Sequence, residues 1–274
     1  TKVLTALAVL QLVAEGEVAL EDPIVRHLPQ EAAAFGPETT LRHLLAHSSG
    51  LPALGWSETK MGKQWPMDGF PVGNFEDLAT FMDGAETWRV AAPGARWHYS
   101  NEGYLLLGRL LERADGVSYA DALQRRLLTP LGMTRSTFDP DVVAADSDRV
   151  QPVMHDEQGR FVPGANLHGV MPAAGGLVST PDDLSQLAQL LLRRGRLPDG
   201  TKLLSESLVT EMTADDVSLD APTPLDAFPL WNDPQRVNGA GLQRHLDVLG
   251  HDVWAHGGGV MGGTAYVAVA PEAN

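Results

Sequence analysis

Three short stretches of the sequence carry residue types that could do chemistry. Lys2 stands at the head of an apolar run. Tyr99 and Asn101 lie in WHYSN, just before a predicted helix, and His256 precedes three consecutive glycines. A tyrosine whose hydroxyl lies near a cation can titrate low enough to act as a base. Bare glycine backbone lets an N–H group approach a reacting carbonyl closely.

Each stretch also has a plain structural interpretation, and one sequence leaves both interpretations open. Lys2 is a solvated helix end if it acts alone. Ser100 or Asn101 is a helix N-cap, because both residue types favour that position. The glycines after His256 form a tight bend or a bulge between strands.

Three other motifs that could indicate chemistry are absent or incomplete in this sequence. No G-x-S-x-G sequence occurs, so a nucleophile elbow is unsupported. Gly257, Gly259 and Gly262 match G-x-G-x-x-G, but a strand follows them where a dinucleotide site requires a helix. His43 and His47 have a spacing that can bind zinc, but no Glu stands beside His43. We therefore expect His47 to cap or hydrogen-bond the SSGLP turn, and we expect no metal and no cofactor.

The candidate residues lie next to elements that the apolar periodicity and the capping residues predict. Lys2 heads a helix that Gly16 ends, and Tyr99 precedes a helix from about Glu102 to Ala114. His256 follows Val253 and Trp254 in the strand-rich C-terminal part. Further helices are predicted after Thr39 or Thr40 up to Gly50 and Pro52, in NFEDLATFMDG, from Tyr119 to Leu128, and in STPDDLSQLAQLLLRRG with Thr180 as N-cap; TAYVAVA is a predicted strand. Strands are expected only near the C-terminus, and residues 53–75, 139–172 and 213–236 are predicted loops, in which Trp56, Trp65 and Trp231 could line a pocket.

Composition excludes several classes of partner. The 274 residues carry a formal net charge of −15, which argues against nucleic acid and anionic membranes because both require basic surfaces. The chain has no Cys, so thiolate chemistry and disulfides are excluded. No apolar run approaches the roughly 18–20 residues of a membrane span.

Taken in order, the three stretches resemble the active-site motifs of the serine β-lactamase and penicillin-binding-protein superfamily, in its class C-like branch. Those motifs are S-x-x-K, Y-x-N, and Lys or His followed by a small residue and Gly. YSN at 99–101 matches the second and HGG at 256–258 the third, whereas TK at 1–2 matches only the end of the first. Four further stretches resemble sequences typical of this branch: LRHLLAHSSGLP, PGARWHYSN, TPLGMTRSTF and PAAGGLVSTPDDL.

The resemblance implies an α+β fold of the β-lactamase/transpeptidase type, in which helices flank an antiparallel sheet and a mostly helical region packs beside it. Residues 1–20 and 203–274 would belong to the sheet domain and residues 21–202 to the helical domain, with the active site between them. The N-terminal strands and the C-terminal strand and helix of the family would lie outside the sequence. We therefore expect residues 1–274 alone to aggregate readily.

The resemblance also implies acyl transfer through a covalent acyl-enzyme. The nucleophilic serine would lie three positions before Lys2, so residues 1–274 alone would be inactive. Lys2 and Tyr99 would exchange the proton, and Asn101 would hydrogen-bond Lys2 or the substrate. Gly258 and Gly259 would form the oxyanion and substrate site, where the Gly259 N–H joins that of the nucleophile.

His256 stands where β-lactamases usually carry a lysine that anchors a substrate carboxylate. A neutral histidine binds an anion less well, so this departure favours small carboxylic esters or amides as substrates. A cell-wall D,D-peptidase, a β-lactamase and a non-catalytic binding homologue are the alternatives. Family members are often exported to the periplasm or the medium, but the sequence does not give the localisation.

Overall fold

A group of helices and an antiparallel sheet form the described part of the computed structural model. That part covers residues 1–54, 75–156, 158–163, 172–214, 217–218, 236–260 and 263–273. The predicted α+β arrangement, with helices beside an antiparallel sheet, is confirmed. The pocket-lining role predicted for Trp56, Trp65 and Trp231 falls on residues outside the described ones.

The first helix, α1, spans Lys2–Glu15 and lies in the centre of the core. Its leucines at positions 4, 7 and 10 are at most 1% exposed, and the residues between them are also buried. A helix that is apolar nearly all round must be covered on every face, which explains this position. Gly16 ends the helix as predicted, in the left-handed conformation with φ of 78°.

The remaining helices mostly follow the predicted caps. Ser100 caps α5, where its side chain accepts from the Gly103 N–H, and Thr180 caps α10 through the Asp183 N–H. Gly116 ends α5. The helices are α2 (Ile24–His27), α3 (Leu41–Leu45), α4 (Phe75–Met82), α5 (Asn101–Asp115), α6 (Tyr119–Leu123), a π-helical segment (Gln124–Leu128), α7 (Thr129–Leu131), α8 (Pro140–Ala145), α9 (Pro172–Gly175), α10 (Pro181–Leu192) and α11 (Glu206–Glu211), with 3-10 turns at Ala33–Phe35 and Ala85–Trp88.

The helix α3 is shorter than predicted. Thr40 caps it as expected, but the helix ends at Leu45 and not at Gly50 or Pro52. His47 takes a left-handed conformation with φ of 55°, which a continuing α-helix does not allow.

Within the described residues, five antiparallel strands form one sheet in the order β3-β4-β5-β6-β7. The strand β6 continues through His256 and its three glycines, so the interpretation of these glycines as a tight bend or bulge is wrong. Their partners on β7 run from Tyr266 back to Thr264 in unbroken register. The strands are β3 (Val217–Ser218), β4 (Arg236–Asn238), β5 (Gln243–Val248), β6 (His251–Val260) and β7 (Gly263–Val269).

A small hairpin in the middle of the chain contradicts the expectation that strands occur only near the C-terminus. It pairs β1 (Val153–His155) with β2 (Phe161–Pro163). The turn is held locally, because Asp156 Oδ1 accepts from the N–H groups of Gln158 and Arg160. Turn chemistry of this kind leaves no apolar periodicity for a sequence pattern to detect.

The sheet and α1 come into close contact at Gly241. Gly241, in the turn between β4 and β5, has φ of 90° and lies so close to α1 that an added Cβ would collide with the Cβ of Ala6. The same added atom would lie 3.7 Å from the carbonyl oxygen of Lys2. This contact therefore fixes the sheet directly beside the first turn of α1.

Candidate active site

Lys2 is buried in the first turn of α1, and its side chain is held by two other helices. Its Nζ donates to Asn101 Oδ1 at 2.7 Å and to the Ala174 carbonyl oxygen at 2.5 Å. The residue is only 2% exposed. The interpretation of Lys2 as a solvated helix end is therefore wrong, because its amine bridges α5 and α9 inside the protein.

Burial changes the acid–base behaviour of this amine. Loss of hydration disfavours the charged form and lowers the pKa of Lys2 to about 7, while the negative charge of Glu102 partly opposes the shift. Glu102 is itself 1% exposed and follows Asn101 on α5. Just above neutral pH, an amine with this pKa is neutral in most molecules and can accept a proton.

Tyr99 lies against the same amine, in the extended segment before α5. Lys2 Nζ lies 4.7 Å from the centroid of the Tyr99 ring and 5.5 Å from that of Tyr104. Burial raises the pKa of the Tyr99 hydroxyl. The shift is opposite to the low value expected for a tyrosine near a cation, because burial disfavours the charged phenolate.

The segment that carries Tyr99 is continuous with the start of α5. Ser100 caps the helix, and its hydroxyl also donates to Glu102 Oε2 at 3.2 Å. Asn101 is the first helical residue and directs its Oδ1 to Lys2. The N-cap interpretation of YSN therefore holds for Ser100, and the same cap presents Asn101 to the amine.

His256 lies half-buried on β6. Burial and then the positive charge of Lys2 lower its pKa to about 3, so its imidazole is neutral at physiological pH. Since the charge of Lys2 acts on it, His256 belongs to the same neighbourhood as the residues on α1 and α5.

Gly258 and Gly259 continue from His256 along β6 and are exposed. A Cβ added at either position would meet nothing within 4 Å. Internal packing therefore does not require glycine here, and the strand presents bare backbone to open space. This is a surface that a ligand carbonyl could approach closely.

Sequence reasoning assigned His47 to the SSGLP turn and did not place it beside Tyr99, and it missed the carbonyl groups of α9. His47 is 4% exposed, and its ring lies 4.3 Å from that of Tyr99. The carbonyl oxygens of Ala173 and Ala174 accept from Thr5 Oγ1 and Lys2 Nζ. The HSSG sequence gave a signal for His47, but periodicity cannot show which backbone carbonyl a distant lysine will meet.

The pair His43 and His47 does not converge. His43 belongs to the capping box of α3, where its Nδ1 accepts from the Thr40 N–H at 3.1 Å. Among the described residues, no three His, Asp or Glu side chains are grouped in a way that could hold a metal ion. None of the helices described here is both long and apolar enough to cross a bilayer.

Known proteins resemble this chain over much of its length. Penicillin-binding protein 4 of Amycolatopsis lactamdurans is 32% identical over 212 residues, which are 74% of this chain and 52% of that protein. Esterase EstB of Burkholderia gladioli is 36% identical over 168 residues, 58% of this chain and 41% of that protein. This chain thus spans about half the length of these relatives.

The fold comparison extends over nearly the whole chain and confirms the predicted β-lactamase/transpeptidase-like fold. The structure of the octameric penicillin-binding protein homologue from Pyrococcus abyssi superimposes with a TM-score of 0.86 and 33% identity, covering 99% of this chain and 58% of that one. The family model described as Beta-lactamase matches residues 1–274. Members of this family are serine hydrolases, and they include esterases, amidases, carboxypeptidases and β-lactamases that act on small ester, amide or peptide substrates. The chain belongs to the Beta-lactamase family.

Proposed function

We propose that the protein containing this chain is a serine hydrolase that works through a covalent acyl-enzyme. One observation carries this proposal: an amine with a pKa of about 7 is fixed between Asn101 Oδ1 and the Ala174 carbonyl, against the ring of Tyr99. In its neutral form such an amine can accept a proton from a nearby hydroxyl group. The nucleophile is the serine of the S-x-x-K motif, three positions before Lys2.

In the first half of the reaction, the serine oxygen attacks the substrate carbonyl carbon and its proton passes to the neutral amine of Lys2. The raised pKa of Tyr99 makes its phenol a proton relay more than a base. The tetrahedral intermediate then expels the leaving group, which takes the proton back through Tyr99 and Lys2. The acyl group remains bound to the serine as an ester.

In the second half, water attacks the acyl-enzyme carbonyl and gives its proton to the same amine. Collapse releases the carboxylic acid and returns the proton to the serine oxygen. Throughout, the developing oxyanion lies against the backbone N–H groups of the nucleophile and of Gly259. Gly258 leaves room beside them for the substrate. In this proposal the active site lies between two domains. Residues 1–20 and 203–274 form one of them, and residues 21–202 form the other.

Carboxylic esters and amides are the proposed substrates. A neutral His256 offers no positive charge to the carboxylate that a β-lactam or a cell-wall peptide presents. The similarity to esterase EstB of Burkholderia gladioli favours esters. The similarity to a penicillin-binding protein keeps the cell-wall D,D-peptidase as the second candidate.

The test uses the protein extended upstream of Thr1. We expect a fluorophosphonate probe to label the serine three positions before Lys2, and p-nitrophenyl esters to be hydrolysed much faster than a cephalosporin. Preference for the cephalosporin would contradict the substrate assignment. An upstream residue other than serine, or labelling elsewhere, would overturn the mechanism and favour a non-catalytic binding protein.

A further inference from the structure

His47 holds an unusual backbone conformation directly behind the proposed site. Its φ of 55° lies in the left-handed region, which residues other than Gly adopt in only a few per cent of cases, although His, Asn and Asp do so more often than most. The side chain is 4% exposed. A strained and buried polar residue persists when the surrounding contacts require it.

Two hydrogen bonds join His47 to the residues on either side of Tyr99. The His98 N–H donates to the His47 carbonyl oxygen at 2.7 Å. The Ser100 N–H donates to His47 Nδ1 at 3.1 Å. With this backbone conformation, the carbonyl oxygen and the Nδ1 atom of His47 both accept from residues 98–100.

The imidazole also stacks on Tyr99 itself. The two ring centroids lie 4.3 Å apart with an interplanar angle of 32°, and the ring of Tyr104 lies 4.9 Å from His47 on similar terms, at 34°. Tyr104 is in turn held by its hydroxyl, which donates to the Leu45 carbonyl at 2.8 Å. The Tyr99 ring therefore rests on a support that is itself fixed.

The protonation state of His47 follows from these contacts. Because Nδ1 accepts from a backbone N–H, the ring proton is on Nε2. Burial, and then the positive charge of Lys2, keep the pKa of His47 well below its ordinary value. The imidazole therefore stays neutral and keeps Nδ1 available as an acceptor.

We propose that His47 is a positioning residue, which fixes Tyr99 beneath Lys2 by clamping the backbone on both sides of it and stacking on its ring. The inference rests on the proposed role of Tyr99 in proton transfer. His47 touches neither the substrate nor the reacting atoms in this scheme. It acts through the orientation of the phenol, where an error of about 1 Å can cost about 10²-fold in rate.

Two substitutions separate this role from simple filling of the core. His47→Leu keeps the apolar bulk but loses the acceptor, whereas His47→Asn places an amide oxygen near the position of Nδ1 and tolerates positive φ. In the extended protein we expect His47→Leu to lower kcat for an ester by about 10²-fold with little change in KM. We expect His47→Asn to recover part of that loss, because it restores the acceptor but not the ring that stacks on Tyr99. His251→Leu, the same change at an exposed site on β6, serves as the control.

The dependence on Tyr99 is tested by a double substitution. If His47 acts through Tyr99, then His47→Leu lowers kcat little further in a Tyr99→Phe background. Equal kcat in His47→Leu and the unsubstituted protein, failure of His47→Asn to recover activity, or fully additive losses would each overturn the inference.

A measurement independent of turnover separates this inference from the proposed function. Long-range ¹H–¹⁵N NMR of histidine-labelled protein should show a neutral Nε2–H tautomer at His47. The amide resonances of His98 and Ser100 should shift in His47→Leu and return in His47→Asn. An Nδ1–H tautomer would overturn the clamp even in an active protein, whereas the expected spectra in a protein without hydrolase activity would refute only the proposed function.

Discussion

The two sides of the candidate site differ sharply in how tightly they are held. On the α1 and α5 side, Lys2 is 2% exposed and its amine has two hydrogen-bond acceptors. On the β6 side, Gly258 and Gly259 are exposed and would accept a Cβ without any contact within 4 Å. Close packing thus holds the Lys2 amine in place on the first side, whereas the second side exposes backbone without side chains.

This difference matches two separate requirements of acyl transfer. Proton transfer depends on a short, aligned path, so its groups must be immobilised before the substrate arrives. Oxyanion binding requires a backbone N–H that the substrate carbonyl can reach, so side chains must be kept away from it. Substitutions on the packed side should therefore damage both stability and catalysis, and those on the open side catalysis alone.

The largest effect is expected from removal of the buried amine. In the extended protein, Lys2→Met should lower kcat/KM for a p-nitrophenyl ester by about 10³-fold, in the range of general base catalysis. Lys202→Met, at an exposed position, is the matched control and should leave the kinetics unchanged. Activity that survives in Lys2→Met would show that the packed side is structural only.

A second substitution tests how the sheet is attached to this packed side. Gly241→Ala should lower the free energy of unfolding by about 3 kcal/mol, because φ is positive and the new methyl group collides with Ala6. Gly250→Ala has similar φ but meets nothing within 4 Å, so it should cost about 1 kcal/mol. Urea unfolding measures both variants, and equal losses would mean that the close approach is unimportant.

The open side should show the opposite pattern. Gly258→Ala should change the free energy of unfolding by less than about 0.5 kcal/mol, since the added methyl group meets nothing and strand residues tolerate alanine. It should still lower kcat/KM by about tenfold, because the methyl group enters the space proposed for the substrate. Unchanged kinetics in a stable variant would place the substrate elsewhere.

The smallest effect concerns the charge of Glu102. Activity should rise with pH as the Lys2 ammonium loses its proton at a pKa of about 7. Glu102 raises that pKa, so Glu102→Gln should move the acidic limb of the kcat/KM profile to lower pH. Glu17→Gln, an exposed change of the same charge, should leave the limb in place. A move to higher pH would contradict the assignment of the limb to Lys2.

Much of the fold could be predicted because local signals determine it. The bounds of α1 and α5 follow from apolar spacing and from Gly16 and Gly116, and the start of α10 follows from Thr180. The β1–β2 hairpin was not predictable, because side chains in its turn hold it and no periodicity marks it.

The residue types of the candidate site could be proposed from the sequence, but the environment of each residue could not. The ordered motifs identified Lys2, Tyr99 and Asn101, and the structure brings these three together. The direction of the Tyr99 pKa shift and the contacts of His47 depend on burial and on partners far away in sequence. Such long-range packing has no signature in the local pattern.

The hydrogen bonds of Lys2 have a consequence for the folding of the chain. They reach across 99 residues to Asn101 and 172 residues to Ala174, so the amine is enclosed only after very large loops have closed. Proteins dominated by such distant contacts fold slowly, since closure entropy is lost before the contacts form. The lowered pKa of Lys2 is thus a property of the completed fold, which the unfolded chain does not share.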